Sequence, residues 1–147
     1  MPVLTGLRSV KLPVTDLGRS REWWSRVFGW SAQLEFPDSD GVVRGVAGVF
    51  RDFEEPGLSL RENPAARSCR GVEVRLGVTD RGAVEEWGRW LDEQQVPHSP
   101  VIDATLGWLM VLSDPDGHEI HLYSDEQHGI DQTDRPGYGR ATAADTV

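Results

Sequence analysis

Residues 10–23 read VKLPVTDLGRSREW, and residues 74–87 read VRLGVTDRGAVEEW. The two stretches lie 64 residues apart, and eight of their fourteen positions are identical, from Val10/Val74 and Leu12/Leu76 through Thr15/Thr79 and Asp16/Asp80 to Trp23/Trp87. Likeness of that extent marks a duplicated structural module. Each copy opens with a strand-like alternation, passes through a polar turn and continues at helical spacing. In the first, Val10, Leu12 and Val14 fall on one face and Ser9, Lys11 and Pro13 on the other, the period-two pattern of a half-buried strand. Thr15 or Asp16 can cap the helix that follows, which carries Trp23, Trp24, Val27 and Phe28 on adjoining positions and meets Gly29 as its stop.

Working outward, Val42–Phe50 and Gly57–Arg61 read as further strands around a turn-forming Asp52–Pro56. The first module spans residues 7–63 as strand, helix and two or three strands. Residues 64–70 (PAARSCR) lack periodicity and suit a linker. The second module, 71–124, repeats the order: strand Gly71–Val78, helix Gly82–Gln94, then strands Gly107–Leu112 and Glu119–Tyr123. The turn signal Asp114-Pro-Asp-Gly117 makes a hairpin of the last two strands. On the helices, Trp23, Trp24, Trp87 and Trp90 read as core, packing helix on sheet. Residues 125–147 are rich in Asp, Thr, Gly and Pro, which predicts a mostly disordered tail with Tyr138 as its one anchor.

With 147 residues, two small modules must associate to bury a core. A net charge of -9 without any basic run argues against nucleic acid and anionic membrane surfaces, which would repel the protein. The first residues lack the pattern of a signal peptide, and no apolar run approaches the roughly 20 residues of a membrane span, so a cytoplasmic protein is expected. Cys69 is the sole cysteine, which excludes an intrachain disulfide and a thiolate zinc cluster.

The strand-turn-helix LRSVKLPVTDLGRSREWWSRVFGW, its echo GVEVRLGVTDRGAVEEW and the closing SDPDGHEIHLYS together resemble the vicinal oxygen chelate superfamily, the group of glyoxalase I, extradiol dioxygenases, fosfomycin-resistance enzymes and bleomycin-resistance proteins. The resemblance covers about Leu7 to Ser124. It implies an α+β fold of two βαβββ modules whose sheets curl round a cavity, and a symmetric homodimer. It also implies four cavity positions that hold metal in metal-dependent relatives, and these fall on Ser9, Ser59, Glu73 and His121. Serine hydroxyls are poor ligands for zinc, nickel or iron. No cofactor is therefore expected, with a divalent metal (Zn, Ni, Mn or Fe) as the alternative. That alternative recruits a third donor from Glu119, His118 or His98; Glu119 shares a strand face with His121, giving a Glu73, Glu119, His121 site. His118 after the turn is expected to face solvent, and His98 to lie in a loop.

The same alternation points Ser9, Lys11, Ser59, Arg61, Glu73, Arg75, His121 and Tyr123 away from the helices. Lys11 and Arg75 are repeat-equivalent cations, with Glu73 a counter-charge, and such a lining invites an anionic group. Trp108 and Met110 share one strand face. If it is the cavity face, Trp108 offers a flat wall to an aromatic ligand; if it is the helix-packing face, Leu109 and Val111 line the pocket instead. Three functions follow. The first, preferred here, is a metal-free protein that sequesters an aromatic, partly anionic natural product. The second is a lyase, isomerase or dioxygenase using Glu73 and His121 as metal ligands, or His121 as general base with cations stabilising an oxyanion. The third is an interaction module with a filled cup, which the polar lining disfavours.

Overall fold

Leu12 and Val14 are fully buried, Pro13 between them is half-buried and Ser9 and Lys11 are exposed, so the alternation of the first stretch is realised in the second half of strand β1 (Ser9–Val14), whereas Val10 is exposed. Asp16 ends the turn: its carboxylate accepts from Arg19 N at 2.9 Å and starts α1 (Leu17–Phe28). Gly29 closes α1 at φ 66°, a left-handed conformation that a side chain would resist. Then follow β2 (Trp30–Pro37), β3 (Val43–Phe50) and β4 (Gly57–Glu62). A short 3-10 turn at Pro64–Ser68 occupies the expected linker and buries Ala66. The second copy gives β5 (Glu73–Val78), α2 (Arg81–Glu93), β6 (Ile102–Asp103), β7 (Trp108–Ser113) and β8 (Glu119–Ser124). This computed structural model describes residues 1–132 and 134–140.

The chain forms two compact units, 1–72 with 114–118, and 73–113 with 119–147. In the first, a four-stranded sheet runs β1-β4-β3-β2, with β1 parallel to β4 and the other pairs antiparallel. Its core sets Trp24 against Trp23, Phe28 and Phe50, with ring centroids 5.3, 5.4 and 6.2 Å apart, above Leu12, Leu58, Leu60 and Val46. Trp30 lies over Gly48, where a Cβ would come within 2.4 Å of its ring, and donates from Nε1 to Leu58 O at 2.9 Å. Strand β2 is largely exposed and carries register breaks at Ala32/Leu34 and Phe36/Pro37.

The turn at 114–118 belongs to this first unit. Asp116 accepts from Thr15 N (3.1 Å) and Thr15 Oγ1 (2.6 Å), so it braces the residue before the α1 cap. His118, expected in solvent, is instead 3% exposed, with its ring Nε2 2.7 Å from Pro13 O. A free backbone carbonyl on β1 satisfies the ring, which explains its burial.

The second unit repeats the sheet as β5-β8-β7-β6, again with the first and last strands of the module parallel. Asp80 caps α2 by accepting from Ala83 N at 2.8 Å. Here the helix comes down on a small residue: Gly88, the repeat mate of Trp24, sits against Met110, whose Cε would be 2.9 Å from a Cβ there. Trp87 is half-buried, and Trp90, expected in the core, is 37% exposed. Its repeat mate is Arg26, an exposed position of α1, so Trp90 stands on the outer side of α2.

Beyond β8 the backbone bends back on its own unit. Asp125 N donates to Val78 O (2.7 Å), Glu126 N to Thr79 O (3.0 Å) and His128 N to Leu106 O (2.9 Å), and Thr105 Oγ1 donates to Tyr138 O. At Tyr138 the tie is to the backbone carbonyl, and the first such bonds are already at Asp125, because backbone groups find partners without any apolar side chain being needed. The last part of the expected tail, 141–147, lies outside the described residues. No described helix is long and apolar enough to cross a membrane.

Candidate functional site

On the sheet of the second unit, the parallel pairing of β5 with β8 sets Glu73 beside Glu119, Arg75 beside His121 and Gly77 beside Tyr123. Period-two alternation sends these side chains to one face and leaves Val78, Ile120 and Leu122 buried on the other. Arg75 Nε lies 3.2 Å from Glu73 Oε2, so the counter-charge anticipated for Arg75 is in place. The buried His121 has its Nε2 3.7 Å from Glu73 Oε1 and 3.6 Å from Glu119 Oε2. Both distances are too long for hydrogen bonds, and this Nε2, shielded from solvent, has no hydrogen-bond partner. One ligand atom from each of Glu73, Glu119 and His121 falls within 4.8 Å of the other two. An orphaned imidazole nitrogen facing two carboxylate oxygens is a donor set suited to zinc, manganese, nickel or ferrous iron.

The same face opens into a cavity of about 590 Å³ within the second unit. Arg75 and His121 mark its polar part, and Ile102, Leu106, Leu109 and Tyr123 supply apolar wall. The Tyr123 hydroxyl accepts from Leu106 N at 3.1 Å, which fixes the ring. Gly137 and Tyr138, from beyond β8, complete the lining.

Trp108 and Met110 do not belong to it. Met110 is 2% exposed under α2, and Trp108 on the same face lies 5.8 Å from the Arg81 guanidinium at the start of α2 and 5.8 Å from the His128 ring. Successive strand residues alternate faces, so once Met110 packs on the helix, Leu109 must turn to the cavity. Reading the repeat beyond its first fourteen positions would have indicated this, since Met110 stands 64 residues after the buried Val46. The wall residues Ile102 and Leu106 and the lining Thr105 come from a short strand and a turn with no pattern of their own.

In the first unit, Ser9 and Lys11 are exposed on β1, and Ser59 is half-buried on β4 opposite Lys11. The matching pair in the second sheet is Arg75 and His121, which makes Ser59 the counterpart of His121. Arg61 is committed: it lies 3.0 Å from Asp38 Oδ1, while Arg44 lies 2.8 Å from Oδ2. These two guanidiniums, Arg44 first, hold the Asp38 carboxyl below the usual carboxylate range. His98 stays apart from the Glu73 cluster, bonded to Ser99 O (2.7 Å) and Asp92 Oδ1 (2.8 Å). Burial opposes a charge on its ring, but these acceptors outweigh burial and raise its pKa.

Known proteins share this architecture. A glyoxylase/bleomycin resistance protein/dioxygenase domain from Frankia sp. EAN1pec superposes with a TM-score of 0.67 at 17% identity, over 83% of this chain and 98% of its own. TnmS3, an antibiotic binding protein from Streptomyces sp. CB03234, gives 0.66 at 20% identity, covering 84% and 98%. The fosfomycin resistance protein FosX of Listeria monocytogenes, complexed with Mn(II) and sulfate, gives 0.64 at 14% identity, covering 83% and 91%. No match to a curated protein was found. At such identities the likeness establishes the fold, and the sequence itself carries the family: the model of the Glyoxalase/Bleomycin resistance protein/Dioxygenase superfamily matches residues 6–122. With the duplicated strand-helix stretch, two sheets that each pair their first and last strands in parallel, and that match over most of its length, the chain belongs to the glyoxalase/bleomycin resistance protein/dioxygenase superfamily.

Proposed function

We propose that this chain is a small-molecule binding protein that holds a flat, aromatic, partly anionic compound in the cavity of its second unit. The observation that carries the reading is the lining itself. An apolar wall of Ile102, Leu106, Leu109 and Tyr123 suits a planar ring, and Arg75 at the polar part suits an anionic substituent. A volume of about 590 Å³ is in the range of pockets that enclose small organic ligands. Antibiotic binding by TnmS3 is a precedent within the fold. Sequestration needs no catalytic group, and self-association as a homodimer forms part of the same reading.

The test is titration with 8-anilinonaphthalene-1-sulfonate, a planar aromatic anion that brightens on leaving water. The expected result is saturable binding that Leu109→Arg abolishes by filling the cavity, while the variant's circular dichroism and melting stay close to those of the parent. Absence of binding, or binding indifferent to Leu109→Arg, would refute the reading.

A second reading is favoured by the orphaned His121 Nε2. In it, Glu73, Glu119 and His121 hold a divalent metal, which when bound would supply Lewis-acid polarisation of a substrate oxygen. The chain's own residues set the rest. Arg75, paired with Glu73, would position an anionic substrate and keep Glu73 oriented. Should no metal bind, proton transfer to His121 Nε2 requires that this shielded nitrogen first open to the cavity that the residue lines. Elemental analysis after dialysis against zinc, nickel, manganese or ferrous iron separates the two readings. Near-stoichiometric metal lost on His121→Ala selects the second, and metal well below one per chain removes it.

A further inference from the structure

The superfamily match ends at residue 122, and the Frankia domain is covered over 98% of its length by only 83% of this chain. Gly137 and Tyr138 lie beyond the matched residues, yet they line the cavity. We infer that the segment 134–139 is a second wall of the binding cavity, added beyond the part of the chain that the family model matches, and that Tyr138 is a specificity-determining residue that stacks on the aromatic part of the ligand. The inference rests on the binding reading above.

The segment is built to present that ring. Gln132 is buried at 5% exposure and accepts from Arg135 twice, at its carbonyl from the backbone N–H (3.0 Å) and at Oε1 from the guanidinium (3.1 Å). Tyr138 N in turn donates to Arg135 O at 3.1 Å, and Tyr138 O accepts from Thr105 Oγ1, so the backbone on both sides of the ring is held. Thr105 is itself a lining residue, which places the tie at the cavity. The Arg135 guanidinium stands 4.3 Å from the Tyr138 ring centroid, a cation–π contact that restrains the ring. Gly137 and Gly139, at φ 83° and 82°, give the chain the left-handed bends that bring Tyr138 inward. A lone aromatic in a polar segment, held by a buried glutamine, two backbone bonds and a cation, is arranged as a ligand contact. Its apolar face and hydroxyl suit the same planar, partly polar compounds as Tyr123 across the lining.

The chain has two tyrosines, Tyr123 and Tyr138, and both line this cavity. Protein grown with 3-fluorotyrosine therefore gives two fluorine resonances, assigned by Tyr138→Phe. Titration with 8-anilinonaphthalene-1-sulfonate should move both with one dissociation constant. Tyr138→Ala should raise that constant about tenfold, the worth of one aromatic contact, with the Tyr123 resonance still moving, and Tyr138→Phe should restore it to within about threefold. If Tyr123 responds while Tyr138 does not, and Tyr138→Ala leaves the constant unchanged, the inference is overturned and the cavity reading stands. If the probe fails to bind, or binds while neither resonance moves, the cavity reading falls and the inference falls with it.

Discussion

His121 and Arg75 face each other across one rung of a parallel pair, yet they answer to different ligands. Arg75 is well exposed and already engaged with Glu73, so its contribution to binding an anion is the difference between two partners. Arg75→Ala should raise the dissociation constant of 8-anilinonaphthalene-1-sulfonate about tenfold, as for loss of one charged hydrogen bond. A neutral naphthol should bind the variant nearly as it binds the parent; equal losses for both probes would show that Arg75 acts through packing. For His121, the parameter to read is metal affinity. If manganese binds, Glu119→Gln should weaken it by at least about tenfold, because an amide oxygen replaces an anionic donor beside the same imidazole. Calorimetric titration with manganese distinguishes this from a site that does without Glu119.

At the level of single elements, the sequence declared its helices more fully than its strands. Asp16 and Asp80 occupy equivalent places in the repeat, and each caps its helix through a carboxylate. Alanine at either should cost about 1 kcal/mol in urea unfolding. Strand β2 escaped a residue-level reading because two register shifts break its alternation and most of its side chains are exposed. Strand β6 has only two residues, too few to carry a period. The face of Trp108 was decidable only through Val46, the repeat mate of its neighbour Met110, and that of Trp90 through Arg26, since aromatic residues suit a core and a surface alike. The common face of Glu73, Arg75, His121 and Tyr123 was legible from strand alternation. Thr105, Leu106 and Tyr138 were not, since they reach the cavity through turns. One element-level cost was hidden for the same reason. Gly48 passes under the Trp30 ring and Ser31 O, both within 2.4 Å of a would-be Cβ. Gly48→Ala should therefore destabilise by about 3 kcal/mol or more, read as a lowered urea midpoint with unchanged slope.

Across the whole molecule the excess of acidic groups shapes stability against pH, and the groups do not all pull one way. Asp114 is 5% exposed; its Oδ1 accepts from His118 N (2.8 Å) and Asp116 N (3.0 Å), while its buried Oδ2 has no hydrogen-bond partner. Burial raises its pKa above 3.8, more than those bonds lower it. The folded state thus holds this proton more tightly than the unfolded chain. Its stabilising share is complete below the unfolded pKa and is lost as pH rises through the folded value. Asp38, Asp40 and Asp52, lowered by hydrogen bonds to arginines, behave oppositely, losing their share as pH falls through their depressed values. Asp114→Asn keeps an Oδ1 acceptor and removes the titration. The variant should gain stability relative to the parent as pH rises from about 4 to 7, which melting temperatures across that range would record; a constant offset would exclude Asp114 as the source.

The parallel pairing of each module's first and last strands also imposes an order in time. Ser9 meets Gly57 across 48 residues, and Glu73 meets Glu119 across 46. Contacts so distant along the chain are late and slow, whereas the β7–β8 hairpin, joined by a five-residue turn, is local and early. Glu73 reaches Glu119 and His121 only when β5 docks on β8, so the cluster is among the last parts of the second unit to exist. During refolding, capture of a ligand or metal at these residues would serve as a clock that starts only after helix signal and hairpin have already recovered.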